Sequence, residues 1–466
     1  MKLDARSAVD DRAPGSRATA ASNDVRAAVA ASLAEALPGG GRIAVALSGG
    51  RDSITLLDAT LRTADALRYP VLALHVDHGL STRSATWADF CREFCAARNV
   101  ACHVHRIDVK RIPRGSLEAA ARAARYAALD EMARANGAKA VLLAHHADDQ
   151  AETTLLQLMR GAGPRGLAAM PAKRFDGRLW WLRPLLSLPR ARIDAYAARS
   201  GLRYVDDESN GDRRYRRNAL RNAVVPALRD VAPGYPATLL RAAELQAEAA
   251  TLLDDLAAID ALEASAGETL DAAAFARLSP ARAGNLLRWF LRRHGLPAPS
   301  RSRLLEMVTQ LAHASGDARV DIAHAGRRLG LHRGRIVVHR AAYDAFAHEW
   351  TGTDAIHLPH GTLHLRRAHG SGIAMRHFAA SRVTIRSGVR GERLQLPGRA
   401  HRRRVADMLR EANVPRWERR ALPRIYCDEA LAAVAPIGID VAFAAGPVEA
   451  AYTLHWQPTH DLHDPE

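Results

Sequence analysis

The chain is 466 residues long, with 48% hydrophobic residues and a formal net charge of +16. This length exceeds that of one typical domain and predicts two or three, each with a core of its own. An excess of positive charge of this size favours a polyanionic partner such as a nucleic acid. No apolar run is long enough to cross a membrane, so we expect no membrane partner.

The cysteines indicate a reducing compartment. The four of them are Cys91, Cys95, Cys102 and Cys427, and none forms a C-x-x-C pair. Packing in a core is favoured over a metal site or a disulfide. Residues 1–22 are rich in Ala, Ser, Arg and Asp and lack an apolar segment, which predicts a disordered tail rather than a targeting peptide. We therefore expect a cytoplasmic protein.

Strands and helices alternate through the first part of the chain. A helix is predicted from Asn23 or Asp24 to Pro38, with Val25, Val29 and Leu33 on one face. Further helices are predicted from the end of the first strand to about residue 67, at 84–98 and at 116–135, and strands at 43–47, 70–76, 101–109 and 140–144. This alternation predicts an α/β fold, a parallel sheet with helices on both faces, in which ligands bind at the carboxyl ends of the strands.

The later segments predict further domains. After a helix at 185–201 comes an arginine-rich run at 206–221, typical of a solvated surface but also suited to phosphate contacts. Pro-Gly-Tyr-Pro at 233–236 marks a boundary, and helical patterns at 238–265, 281–294 and 301–313 precede a hairpin pattern at 319–340. Strand-period alternation and a helix at 405–412 follow. The predicted parts are a tail (1–22), a catalytic domain (23–232), a helical middle domain (233–345) and a small α+β C-terminal domain (350–466).

The first strand runs directly into Ser-Gly-Gly-Arg-Asp-Ser at residues 48–53. Glycine permits positive φ and close approach of the backbone to a ligand, and a helix N-terminus attracts anions. The loop is not a Walker A motif, because it lacks the G-x-x-x-x-G-K-[ST] spacing and its lysine. An ordinary strand-to-helix turn is the alternative. Two hydroxyls and a carboxylate around one loop favour phosphate binding.

Two more polar clusters follow strands, at residues 77–81 and 145–152. Asp148 and Glu152 are four residues apart, on one face of a predicted helix start. Capping of the helix dipole is the alternative reading of these carboxylates. Zinc is disfavoured because the H-E-x-x-H spacing is absent, whereas oxygen ligands suit Mg²⁺ with ATP phosphates, or a cationic substrate.

Residues 48–53 resemble the pyrophosphate loop (PP-loop) of the N-type ATP pyrophosphatases, whose fold is adenine nucleotide alpha hydrolase-like. Enzymes of this group cut ATP between its α- and β-phosphates to adenylate a carbonyl oxygen. Residues 75–81, 117–126, 145–166, 183–186 and 206–221 are in addition similar to bacterial tRNA(Ile)-lysidine synthetases. The likeness is dense over residues 42–230 and looser in the C-terminal part, where arginines at 402–404 stand in for lysines that are frequent in the family.

The resemblance implies a ligase that joins free L-lysine to the wobble cytidine of tRNA(Ile) with a CAU anticodon, through an adenylated cytidine, giving lysidine, AMP and pyrophosphate. ATP and Mg²⁺ are the implied cofactors. The implied catalytic residues are Asp52, His145, Asp148 and Glu152. The implied ATP-binding residues are Ser48, Gly49, Gly50, Arg51, Asp52 and Ser53, with Asp52 also near Mg²⁺. The implied lysine or tRNA contacts are Asp77, His78, Glu118, Arg122, Arg125, Asn218, Arg221, Arg402, Arg403 and Arg404.

Two other functions are considered beside this one. The first is another PP-loop tRNA-modifying enzyme, a thiolase or an amidotransferase, although some of the thiolases depend on cysteine pairs that this sequence lacks. The second is a non-catalytic protein that binds ATP and RNA. The ε-amine of lysine has a pKa near 10.4 and needs a proton acceptor, for which His145, Asp148 and Glu152 are alternatives. The sequence leaves a homodimer and a monomer both open.

Overall fold

The computed structural model describes residues 14–67, 69–77, 84–107, 117–205, 216–314, 320–340 and 343–458. The chain divides into two compact units, Met1–Thr251 and Leu252–Glu466. This division falls inside a long helix, α10 (Tyr235–Ala264). No helix in the described ranges has the length and apolarity needed to cross a membrane.

The first unit is built around a six-stranded sheet. Its strands are β1 (Ile43–Ala46), β2 (Val71–Asp77), β3 (Ala101–Arg106), β4 (Ala140–Leu142), β5 (Lys173–Phe175) and β6 (Trp180–Leu182). Its helices are α1 (Pro14–Ala36), α2 (Arg51–Leu67), α3 (Ser84–Ala96), α4 (Leu117–Ala135), α5 (Ala147–Leu158), α6 (Pro164–Leu167), α7 (Arg190–Arg199), α8 (Arg216–Ala219), a π-helical turn (Leu220–Val224) and α9 (Val225–Val231).

The strand order is β3-β2-β1-β4-β6-β5, and only the edge strand β5 runs antiparallel to its neighbour. The chain moves outward from β1 to β3 and then returns to the other side of β1 with β4. The crevice between β1 and β4 is therefore a topological switch point, where open α/β sheets bind ligands. Because Val29 of α1 packs on one face and Leu129 of α4 on the other, both faces are buried, which confirms the predicted fold class.

Two helix starts differ from the prediction. Helix α1 begins at Pro14, so Asn23 and Asp24 lie within it and the predicted cap is wrong. The preceding segment is rich in alanine, a strong helix former, and continues the helix upstream. Helix α7 begins at Arg190 rather than at residue 185, because Pro189 takes the cap position and its ring cannot lie in a helix interior. The predicted run at 206–221 is described only from residue 216 on.

The second unit contains helices and three larger sheets. Its helices after α10 are α11 (Ala272–Arg277), α12 (Pro280–Arg293), α13 (Arg301–Ala312), α14 (Met375–Ala380) and α15 (Val405–Glu411). Its strands are β7 (Ser265–Ala266), β8 (Thr269–Asp271), β9 (Asp321–His324), β10 (Arg327–His332), β11 (Arg335–Arg340), β12 (Ala347–Glu349), β13 (Ala355–Leu358), β14 (Gly361–His369), β15 (Ile373–Ala374), β16 (Val383–Arg386), β17 (Arg393–Leu394), β18 (Arg403–Arg404), β19 (Arg424–Cys427), β20 (Ala430–Val434), β21 (Gly438–Ile439) and β22 (Ala450–Pro458).

The middle part of the chain contains the predicted helices and a sheet larger than the predicted hairpin. Helices α11 to α13 pack their apolar faces, which include Phe275 and Leu287, onto Leu329 and Ile336 of a five-stranded sheet ordered β7-β8-β11-β10-β9. The predicted hairpin is β10–β11, and β8 and β9 extend it on either side. The C-terminal part has sheets ordered β12-β16-β19-β20-β21 and β13-β14-β22-β15 with two short helices, the predicted small α+β arrangement.

Candidate active site

The loop between β1 and α2 is held in shape by its own hydroxyls. Ser53 Oγ donates to the carbonyl of Gly50 at 2.9 Å and accepts from the backbone N–H of Ser48 at 3.1 Å. The two serine hydroxyls are 3.0 Å apart. Gly49 has φ +85°, a conformation that favours glycine. Because α2 begins at Arg51, its first N–H groups lack helical partners and face outward from this loop as an anion site.

The buried side chains of His75 and Cys91 lie next to the loop and help to fix its shape. His75 Nδ1 lies 2.8 Å from the carbonyl oxygen of Leu47, so Nδ1 carries the proton and donates. Cys91 Sγ lies 3.6 Å from the same nitrogen, and a Cβ added at Gly49 would be 3.3 Å from that sulfur. Burial raises the pKa of Cys91 to about 12, so the thiol stays neutral. The carbonyl of Gly49 accepts from Val205 N at 2.9 Å, which fixes the other side of the loop.

Asp52 at the start of α2 faces an acidic and imidazole cluster at the start of α5. His146 Nε2 lies 3.7 Å from Asp52 Oδ2 and 3.4 Å from Asp149 Oδ2, and its Nδ1 lies 3.7 Å from Asp148 Oδ2. Burial disfavours the charged imidazole, but Asp52, Asp149 and Asp148 outweigh it and raise the pKa of His146. Burial would raise the pKa of Asp52, yet His146 and neighbouring arginines lower it below its ordinary value. Asp52 is therefore an ionised carboxylate at the rim of the loop.

A cavity of about 190 Å³ opens beside the loop, at the switch point between β1 and β4. Leu47, Leu74, Val76 and Leu143 form apolar walls. The polar lining comes from Ser48, Gly50, Asp52, Ser53, Arg125 and His145. Four of the six predicted loop residues and His145 therefore face one space, as the shared strand ends imply.

Arginines gather on the α4 side of this cavity. The hydroxyl of Tyr126 accepts from Arg122 at 3.2 Å and from Arg183 at 3.3 Å. Among the residues that the structure describes, neither of these arginines nor Arg125 is paired with a carboxylate. Burial, together with these positive charges, lowers the pKa of His145 well below its ordinary value. His145 is thus a neutral imidazole in a positively charged, partly dry environment suited to anionic groups.

The two predicted carboxylates of α5 have partners within the protein. Asp148 Oδ2 accepts from the backbone N–H of Arg190 at 2.9 Å, at the start of α7. Glu152, with a side chain only 4% exposed, accepts from Arg217 Nε at 2.9 Å and from Arg221 Nε at 2.7 Å. Burial alone would lower the pKa of Arg221, but Glu152 and nearby carboxylates raise it. Glu152 thus holds two arginines in place. The second carboxylate oxygen of Asp148, Oδ1, takes no part in these contacts.

Three family models match the chain: a PP-loop domain over residues 23–228, a TilS substrate binding domain over 270–337 and a TilS substrate C-terminal domain over 383–456. The tRNA(Ile)-lysidine synthase of Nitrosomonas europaea is 38% identical over 90% of this chain and 93% of its own length. The chain belongs to the tRNA(Ile)-lysidine synthase family. The tRNA(Ile)-lysidine synthase of an Azoarcus species is 39% identical over 90% of this chain and 92% of its own.

Membership of the tRNA(Ile)-lysidine synthase family confirms the predicted enzyme class, a tRNA-modifying ligase, and the PP-loop match indicates ATP binding. The U34-tRNA thiolase NcsA of Methanococcus maripaludis is similar in structure at 16% sequence identity, with a TM-score of 0.42 over 50% of this chain and 80% of its own.

Other predicted residues lie away from the cavity or outside the described part of the chain. Arg51 Nε lies 2.9 Å from Asp194 of α7, so its side chain braces the loop rather than facing the cavity. Asp77 ends β2, with Arg106 Nε 3.7 Å from its carboxylate, and Asn218 follows Arg217 in α8. His78 and the side chain of Glu118 lie outside the described residues.

The C-terminal arginines differ from one another, and all lie in the second unit. Arg402 donates to Asp440 at 2.8 Å, and the Asp440 side chain is only 2% exposed. Arg403 pairs with Glu411 at 2.9 Å on the surface. Arg404 is exposed and precedes α15. Arg402 is therefore tied into the domain, whereas Arg404 has no ion pair within the described part of the chain.

His146, Asp149 and Arg183 are site residues that were not predicted from the sequence. The first two belong to the His-His-Asp-Asp run that was recognised, but the run does not tell which members face the loop. Arg183 follows the short strand β6, and its contribution depends on the pairing of β6 with β4, which no local pattern indicates.

Proposed function

We propose that this chain joins free L-lysine to the wobble cytidine of tRNA(Ile) with a CAU anticodon, using ATP and releasing AMP and pyrophosphate. The observation that carries the proposal is the PP-loop at the switch point, with ionised Asp52 at its rim and the arginine-lined cavity beside it. The names of the relatives support the choice of RNA. The net charge of +16 favours such a partner.

The loop is the proposed phosphate site. The N–H groups of Gly49 and Gly50 can donate to phosphate oxygens, and the α2 N-terminus adds a favourable field. The hydroxyls of Ser48 and Ser53 bond within the loop and hold it in the shape that presents these groups. The residues also fit Mg²⁺, which commonly takes one or two protein carboxylates and completes its shell with substrate phosphates and water. Asp52 would hold it, and the ion when bound would neutralise charge on the departing pyrophosphate.

The first proposed step forms the adenylated cytidine. The 2-carbonyl oxygen of the base attacks the α-phosphorus, a phosphorus–oxygen bond forms, and the bond to pyrophosphate breaks. Arg125 lines the cavity, and Arg122 and Arg183 lie beside it around Tyr126. Their charges stabilise the negative charge that develops on the phosphoryl oxygens. His145, being neutral, can hydrogen-bond a base or phosphate oxygen without adding to the positive charge.

The second proposed step replaces AMP by lysine. The ε-amine must lose a proton before it attacks carbon 2, and a carboxylate at the strand ends is the proposed acceptor. A carbon–nitrogen bond forms, the bond to AMP breaks, and AMP leaves with the electron pair. Asp148, with a side chain 17% exposed, is the candidate to orient or deprotonate the amine. Glu152 acts as a positioning residue that holds Arg217 and Arg221 at the site.

The test is AMP formation from ATP with a tRNA(Ile) transcript, in the presence and absence of lysine. We expect lysine-dependent AMP in the native chain and none in Asp52→Ala. Asp89→Ala is the matched control, because Asp89 lies on α3 with a side chain 65% exposed. AMP that requires a sulfur donor or another amine would assign the chain to the thiolases or amidotransferases. Binding of ATP without AMP under any of these conditions would indicate a non-catalytic protein.

A further inference from the structure

A second cavity, of about 680 Å³, lies wholly within the second unit. It forms where the segment after α15 packs against the outer face of the β10–β11 hairpin. Its walls include Pro415 and Trp417 from that segment and His332, Arg333, Arg335 and Val337 from the hairpin. This space, the Trp417 cavity, is also lined by Glu268 and Glu418. Its volume is in the range of sites that hold small organic molecules.

The indole of Trp417 is fixed in place. Its ring stacks on the imidazole of His339, with centroids 4.0 Å apart and planes within 3°. His332 meets the ring edge-on at 6.1 Å. Within the described part of the chain, the indole Nε1–H is buried and has no hydrogen-bond partner. An aromatic wall of this kind suits a ligand that has a flat ring.

Two arginines stand beside this wall. Arg333 and Gly334 form the tight turn of the hairpin, with φ of +50° and +71°. A non-glycine residue at positive φ is disfavoured, and asparagine or glycine is usual in such turns. Arg335 Nη1 lies 3.8 Å from Asp271, a loose contact that leaves its guanidinium beside the cavity. The Trp417 cavity therefore places an aromatic and apolar wall beside two guanidinium groups.

We propose that the Trp417 cavity binds one unpaired nucleotide of the RNA substrate. The identity of this RNA, as the one that is modified at the PP-loop, rests on the proposed function. The base contacts Trp417, Val337 and Pro415. The adjoining phosphates lie against Arg333 and Arg335. Paired RNA hides its base faces, whereas unpaired bases stack on aromatic side chains, so the cavity selects a single-stranded position.

The test compares binding of a tRNA(Ile) transcript with binding of a fully paired RNA duplex of similar length, both to the full chain. We expect Arg333→Ala and Trp417→Leu each to weaken tRNA binding about tenfold and to leave duplex binding within about twofold. Arg416→Ala is the matched control, because Arg416 is exposed, lies next to Trp417 and is outside the cavity lining. It removes the same charge and should change neither affinity by more than about twofold.

Arg333→Ala keeps the proposal testable if loss of the indole perturbs folding, because residue 333 lies in a surface turn. Unchanged tRNA affinity in Arg333→Ala would overturn the proposal. An equal loss of affinity for tRNA and for the duplex would also overturn it, and so would an equal loss of tRNA affinity in Arg333→Ala and Arg416→Ala. Lysine-dependent AMP formation at saturating tRNA separates this inference from the proposed function. Weaker tRNA binding with undiminished turnover supports the proposal that the Trp417 cavity binds RNA. Absence of AMP formation by the native chain refutes the proposed ligase function and leaves the proposal about the cavity standing.

Discussion

Replacing Glu152 by glutamine tests whether this carboxylate supports the site through its arginines. Its side chain is 4% exposed, and it contacts Arg217 and Arg221 at 2.7 to 2.9 Å. Removing one partner of a buried ion pair costs about 3–5 kcal/mol. The amide keeps one acceptor oxygen, and the arginine side chains are 24% and 29% exposed, so water offsets part of the loss. We therefore expect the variant to lose about 2 kcal/mol of stability.

Urea unfolding of the full chain measures this loss. Hydrogen exchange of α5 identifies the transition of the first unit, because a chain of two units need not unfold in one step. Glu35→Gln is the control: Glu35 pairs with Lys173 on the surface with a side chain 61% exposed, and should cost under about 1 kcal/mol. The reasoning fails if Glu152→Gln is no more destabilising than this control. A selective rise in the lysine KM at native stability would instead show that Glu152 binds the amine directly.

Three further predictions concern the loop, the two histidines and the C-terminal surface. Gly49→Ala should weaken ATP binding at least tenfold, as measured by calorimetry, because residue 49 has a positive φ and an added Cβ would lie close to the Cys91 sulfur. The double variant that also carries Cys91→Ala should recover only part of the affinity, since the positive φ remains. The pKa of His146 is raised by folding, so its contribution to stability is present below about pH 6.5 and is lost as the pH rises through the folded pKa. The pKa of His145 is lowered by folding, so its contribution to stability is lost as the pH falls below about 6.5. Thermal melts from pH 5 to 9 should lose the alkaline decline in a His146→Asn variant and lessen the acid decline in His145→Asn, and identical profiles would contradict both. Arg404→Ala should weaken tRNA binding and flatten its salt dependence with unchanged ATP binding, and an unchanged salt slope would place the RNA elsewhere.

The sheet and its ligand edge were predictable because they depend on local patterns. Continuous apolar strands such as β1 and β2, each followed by polar residues, indicate a buried parallel sheet and the side on which ligands bind. The loop at 48–53 was predictable for the same reason, since its glycines and hydroxyls are contiguous. Membership of the family followed from several such local motifs together.

The roles of individual side chains were not predictable, because they depend on residues far apart in the chain. Glu152 and Arg221 are separated by 69 positions, and Asp148 meets Arg190 across 42. Spacing on one helix showed that Asp148 and Glu152 share a face, but the partners on that face come from α7, α8 and the π-helical turn after α8. The extra strands of the middle sheet escaped notice because β7, β8 and β9 are only two to four residues long.

The packing of Trp417 against the β10 strand constrains how this chain can vary. A Cβ at Gly330 would lie 2.5 Å from the indole and 3.0 Å from the imidazole of His339. Any larger residue at position 330 must therefore be accompanied by a smaller side chain at 417, and the two positions should change together among related chains. A library randomised at both positions should return glycine with tryptophan, or a larger residue with a smaller ring, and seldom two bulky residues.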